Sequence, residues 1–88
     1  MTMKERIIRN LTVGLSPAEL EVVDDSHKHH GHSGWREGGE THFRVRIVSS
    51  RFTGLGRVQR HRLVNELLAA ELKERVHALA LETKAPGE

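Results

Sequence analysis

The chain has 88 residues, which suits one domain with one modest core, because a chain of this size buries only about two thirds of its unfolded surface. It contains no cysteine, which excludes disulfides and makes a reducing compartment natural. The formal charge is +2 with seven neutral histidines, a slight excess that does not by itself mark a nucleic-acid binder and that shifts just below neutral pH.

No stretch is long and apolar enough to cross a bilayer. Residues 1–10 alternate charge with short apolar pairs and lack a signal peptide's apolar core, so a soluble, cytoplasmic protein with no membrane contact is expected. Thr2 followed by Glu5 fits a capping box. Met3, Ile7, Ile8 and Leu11 recur at helical spacing, with Lys4, Arg6 and Arg9 facing away. The pattern predicts a helix over 3–13, stopped by Gly14. Residues 16–19 read as a turn and 20–25 as the first strand. Residues 26–40, SHKHHGHSGWREGGE, carry no periodicity and read as a long, flexible loop, a kind of segment that is usually functional when it interrupts a compact domain.

Phe43, Val45 and Ile47 alternate with His42, Arg44 and Arg46 over 41–49. That is a half-buried strand, expected to pair antiparallel with the first. Ser50 is placed to cap a single helical turn, and Gly54 and Gly56 permit reversal. From residue 57 to about 74, Leu63, Val64, Leu67, Leu68 and Leu72 lie along one stripe of a single long helix. Residues 76–82 then form a short apolar run, read as a strand whose one polar interruption is His77. A strand, a helical crossover and a strand predict a parallel pair. The expected class is α+β, ordered α-β-β-(short α)-α-β. Its three-stranded mixed sheet carries helices on one face, and residues 84–88 form a polar tail.

Several of these segments together resemble the BolA family over nearly the whole chain. They are Leu20-Glu21-Val22, Glu40-Thr41-His42-Phe43-Arg44-Val45, Ile47-Val48-Ser49, Arg51-Phe52-Thr53-Gly54, Arg60-His61-Arg62-Leu63-Val64 and Val76-His77-Ala78-Leu79. The resemblance implies a class II KH-like fold, α-β-β-α-α-β. It also implies a partner. Proteins of this family form heterodimers with monothiol glutaredoxins of the CGFS type and share a 2Fe–2S cluster with them, in iron–sulfur trafficking and iron regulation. The histidine of the VHAL segment, here His77, is then a cluster ligand. The second ligand lies between the first two strands and is a histidine in one subgroup. The matching position is His29, with His27, His30 and His32 as alternates. Some members are DNA-binding regulators.

The chemistry of the chain bears on that implication. Two histidines on one iron are sound, as in Rieske centres, but the other iron then needs sulfur. This chain has no thiolate, so any cluster must be shared, with the glutaredoxin cysteine and glutathione supplying sulfur. Alone, the chain is expected to be monomeric and to carry no cofactor. A histidine must be neutral to bind metal, so acid should weaken such a site. In this reading His77 sits on a rigid strand and the loop closes the second ligand.

Other readings stand beside this one. A lone histidine in an apolar strand is more often a satisfied or edge residue than a ligand. The loop histidines also suit a solvated, pH-sensitive loop, or a divalent-metal site in which His27 with His29, or His30 with His32, chelates zinc or nickel. His42 falls on the exposed alternation of its strand, His61 on the helix surface, and Trp35 has no core assignment. Arg57, Arg60 and Arg62, with Arg44, Arg46 and Arg51, supply charge for phosphate contacts in a DNA-binding reading. Glu66, Glu71 and Glu74 balance that charge, and Gly54-Leu55-Gly56 is not the GXXG clamp of RNA-holding KH modules. No nucleophile–base pair, phosphate loop or metal-hydrolase spacing is present. Asp25, Ser26 and His27 are adjacent in sequence, which is not triad geometry, so a non-enzymatic protein is expected.

Overall fold

The computed structural model describes residues 1–26 and 40–88. Helix α1 is Met3–Leu15, and it starts as expected. The Thr2 hydroxyl accepts from the Glu5 amide at 3.1 Å, and the Glu5 carboxylate accepts from the Thr2 amide at 3.0 Å. Met3, Ile7, Leu11 and Leu15 are buried, one per turn. The helix continues two residues past the expected end. It stops at Ser16, which takes the left-handed conformation at φ 43° and donates its amide to the Thr12 carbonyl. Gly14 is therefore inside the helix and does not stop it. A Cβ built there would sit 2.6 Å from a methyl of Leu67, so this glycine permits close approach of two helices.

Strand β1 (Glu19–Asp24) pairs antiparallel with β2 (His42–Val48), which pairs parallel with β3 (Ala78–Lys84). The strand order β1-β2-β3 makes β2 the centre of the expected three-stranded mixed sheet. The register sets Val22 opposite Val45 and Val45 beside Leu81, so like apolar residues share the helix-covered face. Phe43, Val45 and Ile47 are almost fully buried there, against Ile7, Leu11, Phe52, Val64 and Leu68. Ion pairs of Arg46 with Glu19 (3.2 Å) and Glu82 (3.3 Å) tie the three strands together along the other face, where Ala78 and Ala80 are also exposed. The β3 run is thus half-buried, with small or charged residues alternating outward.

A 3-10 turn, Ser50–Phe52, follows β2 and drives Phe52 into the core. Its cap is Ser49, one residue earlier than expected. The buried Ser49 hydroxyl accepts from the Arg51 amide and donates to the Leu15 carbonyl. The single long helix expected over 57–74 is two helices, α2 (Arg57–Leu67) and α3 (Ala69–Glu74), broken at Leu68 with φ −105° and ψ 15°. The break accompanies a polar lock on α1. The Glu71 carboxylate is buried and accepts from Arg6 at 2.8 Å and from the Asn10 side chain at 2.7 Å. Strand β3 starts two residues later than expected, because Arg75 and Val76 still donate their amides to the Glu71 carbonyl.

Arg60 fastens the far end of the chain. Its guanidinium donates to the Leu55 carbonyl (2.9 Å) and to both Glu88 carboxylate oxygens (2.5 and 2.7 Å), over the Phe52 ring. Those Arg60 contacts, helped by the Ala85 amide, hold the Glu88 carboxyl down to about 2. Among the described residues, no helix is long and apolar enough to cross a membrane.

Candidate metal-ligand site at one end of the sheet

His77 lies one residue before β3, where it was expected within the strand, and its side chain is exposed. Its backbone is nonetheless held. The His77 amide donates to the Thr41 carbonyl at 2.6 Å, and the Ala78 amide donates to the same oxygen at 3.2 Å. The preceding residue, Val76, is buried in the core. An apolar anchor and a shared carbonyl thus fix where the exposed imidazole departs from the fold.

His42 stands beside it. The two rings have centroids 6.4 Å apart and are tilted by 50°. The alternation of β2 put His42 on the exposed face, but it is 7% exposed. The last β1–β2 pair is Asp24 with Phe43. Beyond it the Asp25 amide still reaches the His42 carbonyl, and the His42 ring turns to the Thr41 hydroxyl, with Nδ1 at 2.8 Å.

Ser26 and Glu40, the described residues on either side of 27–39, meet at the same corner. The Asp24 carboxylate accepts from the Ser26 amide (2.8 Å) and from the Glu40 amide (3.2 Å), so it touches both. The buried Ser26 hydroxyl oxygen accepts from the amides of Thr41 (2.8 Å) and His42 (3.1 Å). Glu40 is held at φ 64°, a conformation disfavoured for a residue with a Cβ. Its side chain accepts from the Met3 amide at 2.8 Å and lies 3.9 Å from Arg75. Sequence reasoning did not single out Asp24, Ser26, Glu40 or Thr41 for these roles. The only local signal was the turn chemistry of Asp24 and Ser26 just before the long segment.

The remaining expected ligands, His29 and its alternates His27, His30 and His32, lie outside the described residues, as does Trp35. Among the described residues, no group of three or more His, Asp or Glu side chains is arranged to hold a metal ion. The donor set at this corner is imidazole without thiolate. It fits one arm of a shared iron–sulfur site and does not fit a self-contained cluster.

The arginines expected to meet phosphate divide. Arg57 and Arg62 are exposed on α2, whereas Arg60 is buried and engaged by Glu88. His61, beside them, is half-buried.

Comparison with known proteins places the chain. Residues 11–88 match the family of BolA-like proteins. An uncharacterized protein of Sinorhizobium sp, from the cobS 5' region, is 51% identical over 89 residues, covering 100% of this chain and 96% of its own length. The DNA-binding transcriptional regulator BolA of Escherichia coli (strain K12) is 46% identical over 83 residues, covering 94% of this chain and 75% of its own. The solved BolA domain of SufE1 from Arabidopsis thaliana superimposes with a TM-score of 0.88 at 46% identity, covering 98% of this chain and 94% of that one. The full plant SufE-like protein 1 is much longer, and the match spans 24% of it. The BolA-named relatives are named as regulators or BolA-like proteins and not as enzymes. By family match, sequence identity and fold, this chain belongs to the BolA-like protein family.

Proposed function

We propose that this protein is a non-enzymatic adaptor that binds a CGFS monothiol glutaredoxin and contributes imidazole ligands to a 2Fe–2S cluster held jointly with that partner and glutathione. The observation that carries the reading is the corner itself. The exposed His77 imidazole leaves a fixed backbone held by the Thr41 carbonyl, and Ser26, just before the histidine-bearing stretch, bonds the amide of that same Thr41. His29 follows Ser26 by three residues, a reach of about 11 Å at full extension. The family resemblance supplies the partner and assigns His77 and His29 as ligands.

The chemistry supports transfer better than storage. The cluster is cargo here, and imidazole ligation makes it more labile and more electropositive than all-thiolate ligation would. This chain's part is to present imidazoles without thiolate competition for the partner's cysteine. The test is the visible absorption and circular dichroism of a CGFS glutaredoxin carrying its cluster, with glutathione, before and after this protein is added. Wild-type protein should produce a mixed-ligand spectrum, and His77→Ala should not. Because His77 is exposed, its removal should change stability by no more than about 0.5 kcal/mol. An unchanged spectrum with His77→Ala would overturn the assignment.

A second reading is DNA binding, favoured by the name of the E. coli relative and by the exposed Arg57 and Arg62 on one helix. Phosphate contact through these two arginines would be compatible with Arg60 remaining engaged by Glu88.

A further inference from the structure

We propose that Ser26 is a positioning residue for the cluster site, one hydroxyl that fixes the peptide unit on which His77 is docked. The inference rests on the cluster reading and adds a residue to it that the ligand assignment does not contain.

The Ser26 hydroxyl oxygen is buried and has two lone pairs. It accepts the amide of Thr41 at 2.8 Å and the amide of His42 at 3.1 Å. The His42 amide and the Thr41 carbonyl belong to one planar trans peptide, so they point in opposite directions from it. Ser26 therefore grips one side of that peptide while the amides of His77 and Ala78 grip the other, at 2.6 and 3.2 Å. Turning the peptide cannot satisfy one side without disturbing the other. Hydrogen bonds arranged across one peptide also polarise and strengthen each other.

The covalent neighbours give the arrangement its meaning. Ser26 is the residue from which the histidine-bearing segment departs, and the Asp24 carboxylate closes a turn on its amide at 2.8 Å. A single side chain thus joins the starting point of that segment to the backbone of His77, across one peptide plane. A structural serine elsewhere in the core has no such connection. Ser49 is also fully buried, but it spends its hydroxyl on Leu15 and on the amide of Arg51.

The experiment uses the full chain in two states. In the isolated protein, hydrogen exchange is read at the amides of His42 and His77 and, as a measure of global stability, at Val64. In wild type, His42 and His77 should be protected without any partner, and rapid exchange at His42 would overturn the proposal with no variant made. In Ser26→Ala, exchange at His42 and His77 should accelerate about tenfold more than at Val64, the loss of about one hydrogen bond's worth of protection. In Ser26→Thr, which keeps the hydroxyl, protection should return.

The second state is the complex with a cluster-loaded CGFS glutaredoxin and glutathione. Ser26→Ala should lose the mixed-ligand dichroism or release the cluster about tenfold faster, and Ser26→Thr should restore it. His77→Ala separates the two layers. If His77→Ala alters the spectrum and Ser26→Ala does not, Ser26 is a structural residue only and the proposal fails. If His77→Ala leaves the spectrum unchanged, the underlying cluster reading fails instead, and the exchange measurement still decides whether Ser26 holds His77 in place.

Discussion

Replacing Gly14 by alanine tests the packing of α1 against α2 and gives a result whose sign depends on a second residue. Inside a helix, glycine is about 1 kcal/mol less favourable than alanine, so propensity alone predicts stabilisation. The Cβ of that alanine would meet the two Leu67 methyls at 2.6 and 2.7 Å, well inside van der Waals contact, and overpacking of this kind costs about 1–3 kcal/mol. The two effects oppose, and the sign is set by whether the half-buried Leu67 side chain gives way. With Leu67 held in place, Gly14→Ala should destabilise the protein by up to about 2 kcal/mol. Leu67→Ala removes both clashing methyls. In that background Gly14→Ala should stabilise by about 1 kcal/mol. The cycle, measured by urea unfolding, should give a coupling of about 1–3 kcal/mol. Were Gly14 instead a left-handed helix stop, alanine would destabilise in both backgrounds. Equal effects in the two backgrounds, within about 0.5 kcal/mol, would refute the close approach of the helices at this point.

Two further outcomes follow from the charged groups. Because Arg60 depresses the Glu88 carboxyl to about 2, the stability this carboxylate contributes is complete above its unfolded value near 4.5 and is lost as pH falls from there through about 2. Urea unfolding across that window should show the decline in wild type, and Glu88→Gln should flatten that part of it. If the DNA reading holds, replacing Arg57 and Arg62 together should lower the slope of log affinity against log salt by about two. A full wild-type slope in the double variant would exclude these arginines as phosphate contacts.

The parts of the fold that were legible in the sequence are those fixed by neighbours a few residues apart. The Thr2–Glu5 capping box and the Phe43-Val45-Ile47 alternation are of this kind, and both are present. The sheet order is present too, because strands consecutive in sequence usually pair and a helical crossover between β2 and β3 sets them parallel. Where the reading failed, a distant residue decided. Gly14 looks like a helix stop until Leu67 is seen to press on it. The break at Leu68 carries neither glycine nor proline to announce it, and Glu71 near it bonds residues 61 and 65 positions away. His42 obeys the period of its strand, yet it is buried, with its ring on the Thr41 hydroxyl and beside His77.

The candidate site divides along the same line. His77 was visible as a polar interruption of an apolar run, but the proposal that it is a ligand comes from the family resemblance and not from periodicity. The residues that hold its backbone were invisible, since Ser26 reaches Thr41 across 15 positions and Glu40 reaches Met3 across 37. That separation is physically reasonable for a donated ligand. An imidazole offered to a partner's metal must be exposed, so it contributes little to folding and leaves little trace in the core pattern. The precision of its placement must then come from backbone hydrogen bonds around it. At this corner they converge on the Thr41 carbonyl. A site of this design should tolerate changes on the open face of the sheet and fail when the peptide behind His77 is released, even with both histidines still in the chain.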